Sequence, residues 1–131
     1  MSEAAGTLLS DDEMLARFVL KTEWIRKVDN TVKQDAFIPP KDLQLSVTRH
    51  TGISPDQLIE AGKFVAVQTS LQFLGRADIN ARTVVKNALK AVAWPLETNA
   101  NHAHVIGWPA DKESRKTIAQ ELAAASKFIR A

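Results

Sequence analysis

The sequence predicts an α+β fold: a small mixed or antiparallel sheet covered by three to four helices, in a single domain over residues 1–131. The length of 131 residues suits one domain with its own hydrophobic core. The spacing of apolar residues switches along the chain between the period of a strand and that of a helix, so strands and helices alternate. No predicted strand is followed by a glycine-rich phosphate turn, which disfavours a doubly wound parallel sheet.

The N-terminal region is expected to begin with a flexible end over residues 1–9 and to continue as a helix over residues 11–20. Ser10 and Glu13 match a capping box, and the apolar residues that follow recur at helical spacing. The alternative is a strand that begins at Arg17, because the next apolar residues also suit a sheet. The capping box favours the helix.

The clearest predicted strand lies after a proline pair. Residues 36–42 are expected to be extended, since two consecutive prolines exclude a helix, and Phe37 and Ile38 should anchor this connection in the core. Residues 43–48 then alternate apolar and polar side chains, which is typical of a half-buried strand. Residues 49–52 form the turn that follows it.

A second capping box at residues 54–57, with proline at the first helical position, predicts the next helix. Gly62 weakens this helix and is a candidate for its end. From residue 64 onwards the residues favour a strand, and residues 71–79 are the candidate. Within it, Gly75 indicates a bend or a close backbone approach.

A third helix is predicted to begin at Asn80, which can cap a helix that carries Val84 and Leu89. Val92 and Trp94 either extend this helix or form another strand, and length does not decide between the two.

The closing part of the chain predicts a buried strand followed by an amphipathic helix. Residues 102–108 alternate so that one face carries His102, His104, Ile106 and Trp108. Neither face is strongly polar, which indicates a strand in the interior of a sheet. Asp111 is placed to cap a helix that is expected to reach the end of the chain, with Lys127 and Arg130 in its last turn.

The composition excludes several kinds of site. The chain has no cysteine, so neither a disulfide nor a thiolate metal ligand can form, and a net charge of +2 is too small to imply a polyanionic partner. The N-terminus lacks a signal pattern and no apolar run approaches the roughly 20 residues of a membrane span. We expect a soluble cytoplasmic protein with no membrane partner and no cofactor, because no cofactor motif is present.

The first candidate site is the pair His102 and His104, which share one face of the predicted strand. Two such imidazoles can bind a metal ion or a phosphate, and a metal needs at least a third ligand. The candidate third ligands are His50, Asp35, Asp78 and Asp111. The pair resembles part of the His-x-His-x-His signature of the histidine-triad nucleotide hydrolases. Ile106 stands where that signature has its third histidine, so the activity is not carried over. The alternative is two structural histidines hydrogen-bonded to neighbouring asparagines.

The second candidate site is a basic stripe, defined as Arg82, Lys86 and Lys90, which would share one face of a helix and could bind nucleic-acid phosphates. Arg76 could join it. At this net charge a solvated face is the favoured interpretation. If residues 89–94 form a strand, the stripe loses Lys90.

The third candidate site is Arg49 and His50, which lie where a predicted strand meets a turn. They could hold an anion or act with His102 and His104 as catalytic residues. The favoured alternative is that Arg49 pairs with a surface carboxylate and His50 is solvated.

The function predicted from these patterns is a small interaction or accessory domain whose partner is another protein or a second copy of the chain. Trp24, Trp94 and Trp108 are either interface anchors or core residues. An enzyme is less favoured, because no strong catalytic set is present. The alternatives are a histidine-based, metal- or phosphate-dependent hydrolase centred on His102 and His104, and a weak nucleic-acid binder that uses the basic stripe.

Overall fold

The computed structural model describes residues 4–131 and confirms the predicted α+β class, with six strands in one antiparallel sheet. In chain order the elements are β1 (Met14–Val19), β2 (Ile25–Arg26), β3 (Thr31–Val32), β4 (Leu45–Arg49), α1 (Pro55–Gln68), β5 (Gly75–Asn80), α2 (Ala81–Lys86), β6 (Lys90–Ala93), β7 (His102–Ile106), α3 (Lys112–Ala125) and β8 (Lys127–Arg130). The spatial order of the large sheet is β6-β7-β4-β1-β5-β8, and β2 and β3 form a separate hairpin. Short 3-10 helices cover Thr22–Trp24 and Gln34–Phe37.

The first element is the strand β1, so the helix predicted over residues 11–20 is wrong. The strand is near the centre of the sheet, between β4 and β5, and side chains on both of its faces are buried. Leu15 and Val19 face one side, and Ala16 and Phe18 face the other. A strand covered on both faces is apolar almost throughout, so its sequence period does not separate it from a buried helix. The alternative strand from Arg17 was the better interpretation.

The main core lies on the sheet face that α2 and α3 cover. Its fully buried large side chains include Leu15, Val19, Phe37, Leu45, Ile79, Val84, Val105 and Leu122. Each such burial stabilises the fold by about 1.5–3 kcal/mol. Phe37 anchors its connection as predicted, whereas Ile38 is 39% exposed.

The opposite sheet face is covered only over its centre, by α1. Leu58 of this helix packs against Ala16 and Phe18. The ring of Phe73 meets the ring of Phe18 edge-on, with a centroid distance of 5.9 Å. The partial cover leaves space between α1 and the strands β4 and β7.

The helix α1 begins as predicted and ends later than predicted. Both hydrogen bonds of the capping box are present between Ser54 and Gln57. Gly62 does not end the helix but lies in its middle, where a Cβ atom would overlap the ring of Phe73. Because this close packing stabilises the helix, it continues to Gln68, through residues that favour a strand by composition alone. The strand predicted over residues 71–79 accordingly begins only at Gly75.

The closing strand and helix are present, but two of their details differ from the prediction. β7 lies between β6 and β4, in the interior of the sheet as expected. Trp108 does not share the face of the histidines: Gly107 adopts a φ of +91°, which breaks the alternation, and Trp108 joins the main core. Asp111 caps α3, but the chain becomes extended at Ser126.

The last strand, β8, therefore replaces the end of the predicted helix. Phe128 packs against the main core from β8, and Lys127 and Arg130 are strand residues rather than members of a last helical turn. Aromatic and β-branched residues in this segment suit a strand once it can pair with β5.

The outer edge of β6 is covered by residues 6–9. Gly6 and Leu9 donate backbone hydrogen bonds to Ala93 and Ala91, and Ala93 donates one to Thr7. The predicted flexibility of residues 1–9 concerns motion and stays a prediction, and residues 1–3 lie outside the described part. Within residues 4–131 no helix is long and apolar enough to cross a membrane.

Candidate functional site

The best-formed cavity on the α1 side of the sheet, here called the α1 cavity, has a volume of about 280 Å³ and lies between α1, the strands β1, β4 and β7, and the loop that joins β6 to β7. Its apolar wall comes from Phe18, Leu20, Ala61, Phe64, Val65 and Leu96. Its polar side chains are Arg17, Ser46, Thr48, Gln68, Thr98, Asn99 and His102. An apolar cavity with a few converging polar groups is the usual form of a small-molecule site.

Arg17 lines one border of this cavity, and it lies where two strands separate. The β1–β4 ladder has two register pairs, Leu15 with Arg49 and Ala16 with Thr48, and then ends. Beyond that point the Arg17 guanidinium donates to the carbonyl oxygens of Ser46 at 3.1 Å and Ala36 at 2.7 Å. The side chain thus occupies the opening between the strands.

The charge of Arg17 is not neutralised by any carboxylate in residues 4–131. The guanidinium also makes a cation–π contact with Trp24, whose ring centroid is 5.3 Å from the guanidinium carbon. Burial lowers the pKa of Arg17 to about 10, so the side chain stays protonated at neutral pH. Its third nitrogen, Nη2, makes no hydrogen bond in the described chain and is not completely buried. A desolvated guanidinium without an anion is costly and attracts one.

His102 lies on β7, with β4 between it and the strand of Arg17, and it has a defined hydrogen-bonding role. Its Nδ1 atom is 2.9 Å from the carbonyl oxygen of Trp94, and a carbonyl oxygen only accepts. Nδ1 therefore carries the proton, and Nε2 of the neutral ring presents a lone pair. Burial lowers the pKa of His102, although the bond to Trp94 partly opposes this, so the neutral form is favoured.

Thr48 and Asn99 complete the polar end of the α1 cavity. Thr48 is 2% exposed and is the register partner of His102 in the β4–β7 ladder. Its hydroxyl oxygen accepts a hydrogen bond of 3.1 Å from the side-chain amide of Asn99. The oxygen of that amide in turn accepts from the backbone of Asn101. The hydroxyl proton of Thr48 is left available to a ligand.

A second, shallower space of about 640 Å³, here called the α1 groove, lies beside the α1 cavity. The two spaces are adjacent, since both are lined by Ala61, Phe64, Thr98 and Asn99. The rim carries exposed apolar side chains: Phe64 is 42% exposed, Val67 is 75% exposed and Leu96 is 43% exposed. A ligand with a polar head in the cavity can therefore extend an apolar tail into the groove.

His104 shares its sheet face with His102 as predicted, and the centroids of the two rings are 4.7 Å apart. His104 does not line the α1 cavity. It is 8% exposed and lies 5.0 Å from the ring of Trp94, and its Nδ1 atom is buried without a hydrogen bond. Burial and the charge of His102 lower the pKa of His104, against an opposing effect of Asp42.

The other candidate catalytic residues lie in separate groups. Arg49 forms a bidentate ion pair with Glu13, with distances of 2.7 Å and 2.8 Å. The Nε2 atom of His50 is 3.0 Å from Asp78, which also accepts from Arg76. The structure thus does not bring these groups to the α1 cavity, and their catalytic role stays a prediction.

No group of three histidine, aspartate or glutamate side chains in residues 4–131 is arranged to hold a metal ion. Asp78 is hydrogen-bonded to His50 and not to His102 or His104, and Asp111 caps α3. His102 and His104 accordingly have no third metal ligand from the described chain.

The basic stripe is divided between two elements. Arg82 and Lys86 lie on α2, and Lys90 lies on β6, because residues 90–93 form a strand. Arg82 also forms an ion pair of 2.9 Å with Asp12. The stripe therefore loses Lys90, as anticipated for a strand at this position, and binding of nucleic acid stays an untested prediction.

The tryptophans divide between core and surface. Trp108 is buried and donates its indole N–H to the carbonyl oxygen of Val105 at 3.0 Å. Trp24 packs against the main core and under Arg17. Trp94 is 37% exposed beside the histidines.

Arg17 is the site residue that the sequence analysis missed. The available signal was a charged residue between Leu15 and Val19, at a position that a buried strand would reserve for an apolar side chain. Assigning this segment to a helix placed Arg17 on a solvated face and removed the signal.

Comparison of the chain with protein families, curated proteins and solved structures finds no match.

Proposed function

We propose that this protein is a binding domain for a small amphipathic organic anion, held in the α1 cavity. The anionic group pairs with Arg17 and accepts from Thr48, and the apolar body packs against Phe18, Leu20 and Phe64. This is a specific form of the accessory module predicted from the sequence. A protein partner, a second copy and a cytoplasmic location stay predictions.

The observation that carries the proposal is the unpaired charge of Arg17. Other arginines of the described chain contact a carboxylate, as Arg49 contacts Glu13 and Arg82 contacts Asp12. Arg17 instead donates to two backbone carbonyls and lines an apolar cavity. A carboxylate that enters the cavity gains a charge-assisted hydrogen bond, worth about 1.5–3 kcal/mol.

Binding is tested by calorimetry with octanoate and with octanol, which share a tail and differ in charge. We expect octanoate to bind more tightly by roughly ten- to a hundredfold, which follows from the same charge-assisted bond. In Arg17→Met, which keeps the length of the side chain and removes its charge, this advantage should disappear. Fluorescence of Trp24 gives a second signal, since its ring contacts the guanidinium.

The matched control is Arg26→Met, because Arg26 is exposed on β2 and does not line the α1 cavity. Arg17→Lys keeps the charge, so it should retain part of the preference for octanoate over octanol. It therefore separates the loss of the charge from any disturbance of the strands that follows removal of the guanidinium. Equal affinities of the wild type for octanoate and octanol, or an unchanged preference in Arg17→Met, would contradict the proposal.

A further inference from the structure

The polar side chains of the α1 cavity include donors, hydroxyls that can donate or accept, and one imidazole acceptor. Arg17 has only N–H donors, and the hydroxyl of Thr48 accepts from Asn99, which leaves its proton free to donate. Ser46 and Thr98 carry exposed hydroxyls, and Asn99 uses its side-chain oxygen and one N–H within the protein. Gln68, which could either donate or accept, is exposed at the mouth.

His102 supplies the acceptor. Its Nδ1 proton is committed to the carbonyl oxygen of Trp94, which leaves Nε2 with a lone pair. Nε2 makes no hydrogen bond within residues 4–131 and is not among the buried unbonded atoms, so it is open to solvent. His102 lines the α1 cavity, whereas His104 does not.

We propose that His102 selects ligands that carry a hydrogen-bond donor, a hydroxyl or an amide N–H, in addition to the anionic group held by Arg17. This inference rests on the proposed function and names the class of ligand: hydroxycarboxylates or acylaminocarboxylates with an apolar tail. A plain carboxylate leaves Nε2 without a partner once it displaces water from the cavity. A ligand with a donor satisfies Nε2 and avoids that loss.

The geometry also explains why the donor is needed on the ligand rather than supplied by the protein. Thr48 is the register partner of His102, yet no hydrogen bond joins their side chains, because the Thr48 oxygen is turned to Asn99. The rings of His102 and His104 meet edge to face with a centroid distance of 4.7 Å, and the Nδ1 atom of His104 is buried without a hydrogen bond. The Nε2 atom of His102 therefore has no hydrogen-bond partner within residues 4–131.

The test compares octanoate with a series of hydroxyoctanoates that differ in hydroxyl position, by calorimetry at neutral pH. We expect at least one hydroxyoctanoate to bind about tenfold more tightly than octanoate, the effect of one buried hydrogen bond. His102→Phe should abolish this preference and retain binding of octanoate. His102→Gln, which keeps an acceptor, should retain part of the preference.

The tautomer of His102 gives a readout that does not depend on a variant. Long-range proton–nitrogen spectra of the wild type should show a protonated Nδ1 and an unprotonated Nε2. A protonated Nε2, or equal affinity for octanoate and all the hydroxyoctanoates, would overturn this inference and leave the proposed function standing. If neither kind of ligand binds, the proposed function fails and the inference with it.

Discussion

At the scale of single residues, the ion pair between Glu13 and Arg49 joins the start of β1 to the end of β4. Its two side chains are only 12% and 11% exposed, and Thr51 donates a further hydrogen bond to the same carboxylate. A pair so little exposed has lost most of its hydration, so removal of the Glu13 charge takes from the Arg49 guanidinium the carboxylate that contacts it in two places.

Glu13→Gln is therefore expected to lower the free energy of unfolding by about 3 kcal/mol, as measured by urea denaturation. The matched control is Asp12→Asn, the neighbouring carboxylate. Its pair with Arg82 is exposed, with side chains 85% and 58% accessible, and should contribute less than about 1 kcal/mol. Equal effects of the two variants would show that burial does not strengthen the first pair.

Residue patterns predicted some positions of the site and not others. The shared face of His102 and His104 follows from the period of a strand, which local sequence determines. The different roles of the two histidines do not follow from it, because they depend on Trp94, which comes directly after β6, and on α1 from a distant part of the chain. Arg17 was missed because only the pairing of β1 reveals its surroundings.

At the scale of elements, three of the four predicted helix starts are confirmed, and the one predicted from the capping box at Ser10 is wrong. Ser54, Asn80 and Asp111 all cap the helices predicted to begin there, since a cap depends on neighbouring residues only. The lengths of helices and strands were not predicted correctly, because they depend on tertiary packing. Phe73 supports α1 beyond Gly62, and pairing with β5 makes residues 127–130 a strand.

The junction of β5 and β8 depends on Gly75. This residue has a φ of +146°, and a Cβ atom there would overlap the carbonyl oxygen of Ile129. Gly75→Ala is expected to lower the free energy of unfolding by about 1–3 kcal/mol beyond the cost of the backbone conformation itself, because the β8 backbone has to move. Hydrogen exchange of the Ala131 amide, which donates to Leu74, should accelerate.

The control for this variant is Gly52→Ala. Gly52 also has a positive φ, of +79°, but no atom lies within 4 Å of an added Cβ. Gly52→Ala therefore measures only the cost of placing a residue with a Cβ atom at a positive φ, which is about 1–2 kcal/mol. Comparable losses in both variants, with unchanged exchange in β8, would mean that the close approach at Gly75 is not limiting.

At the scale of the whole molecule, the two β7 histidines link stability to pH. Burial is the largest cause that lowers the pKa of both His102 and His104 in the folded state. Below the ordinary histidine pKa of about 6.5 the unfolded chain binds protons that the folded chain does not. The stability that these groups contribute is therefore complete above that pH and is lost as the pH falls toward their lower folded values.

Thermal unfolding should accordingly show a midpoint that decreases as the pH falls from about 7.5 to 5. In the double variant His102→Gln, His104→Gln this part of the decrease should be absent, so its midpoint changes less with pH than that of the wild type. Parallel curves for the two proteins would contradict a role of these histidines.

The two ends of the sheet differ in a way that limits how molecules can associate. Residues 6–9 occupy the border of β6, while no strand of the described chain lies beyond β8. Within residues 4–131, an edge strand without a hydrogen-bonded strand neighbour therefore remains on one side of the sheet only. A unit with one such side joins a single copy and stops, whereas a unit with two could propagate without limit into a fibre.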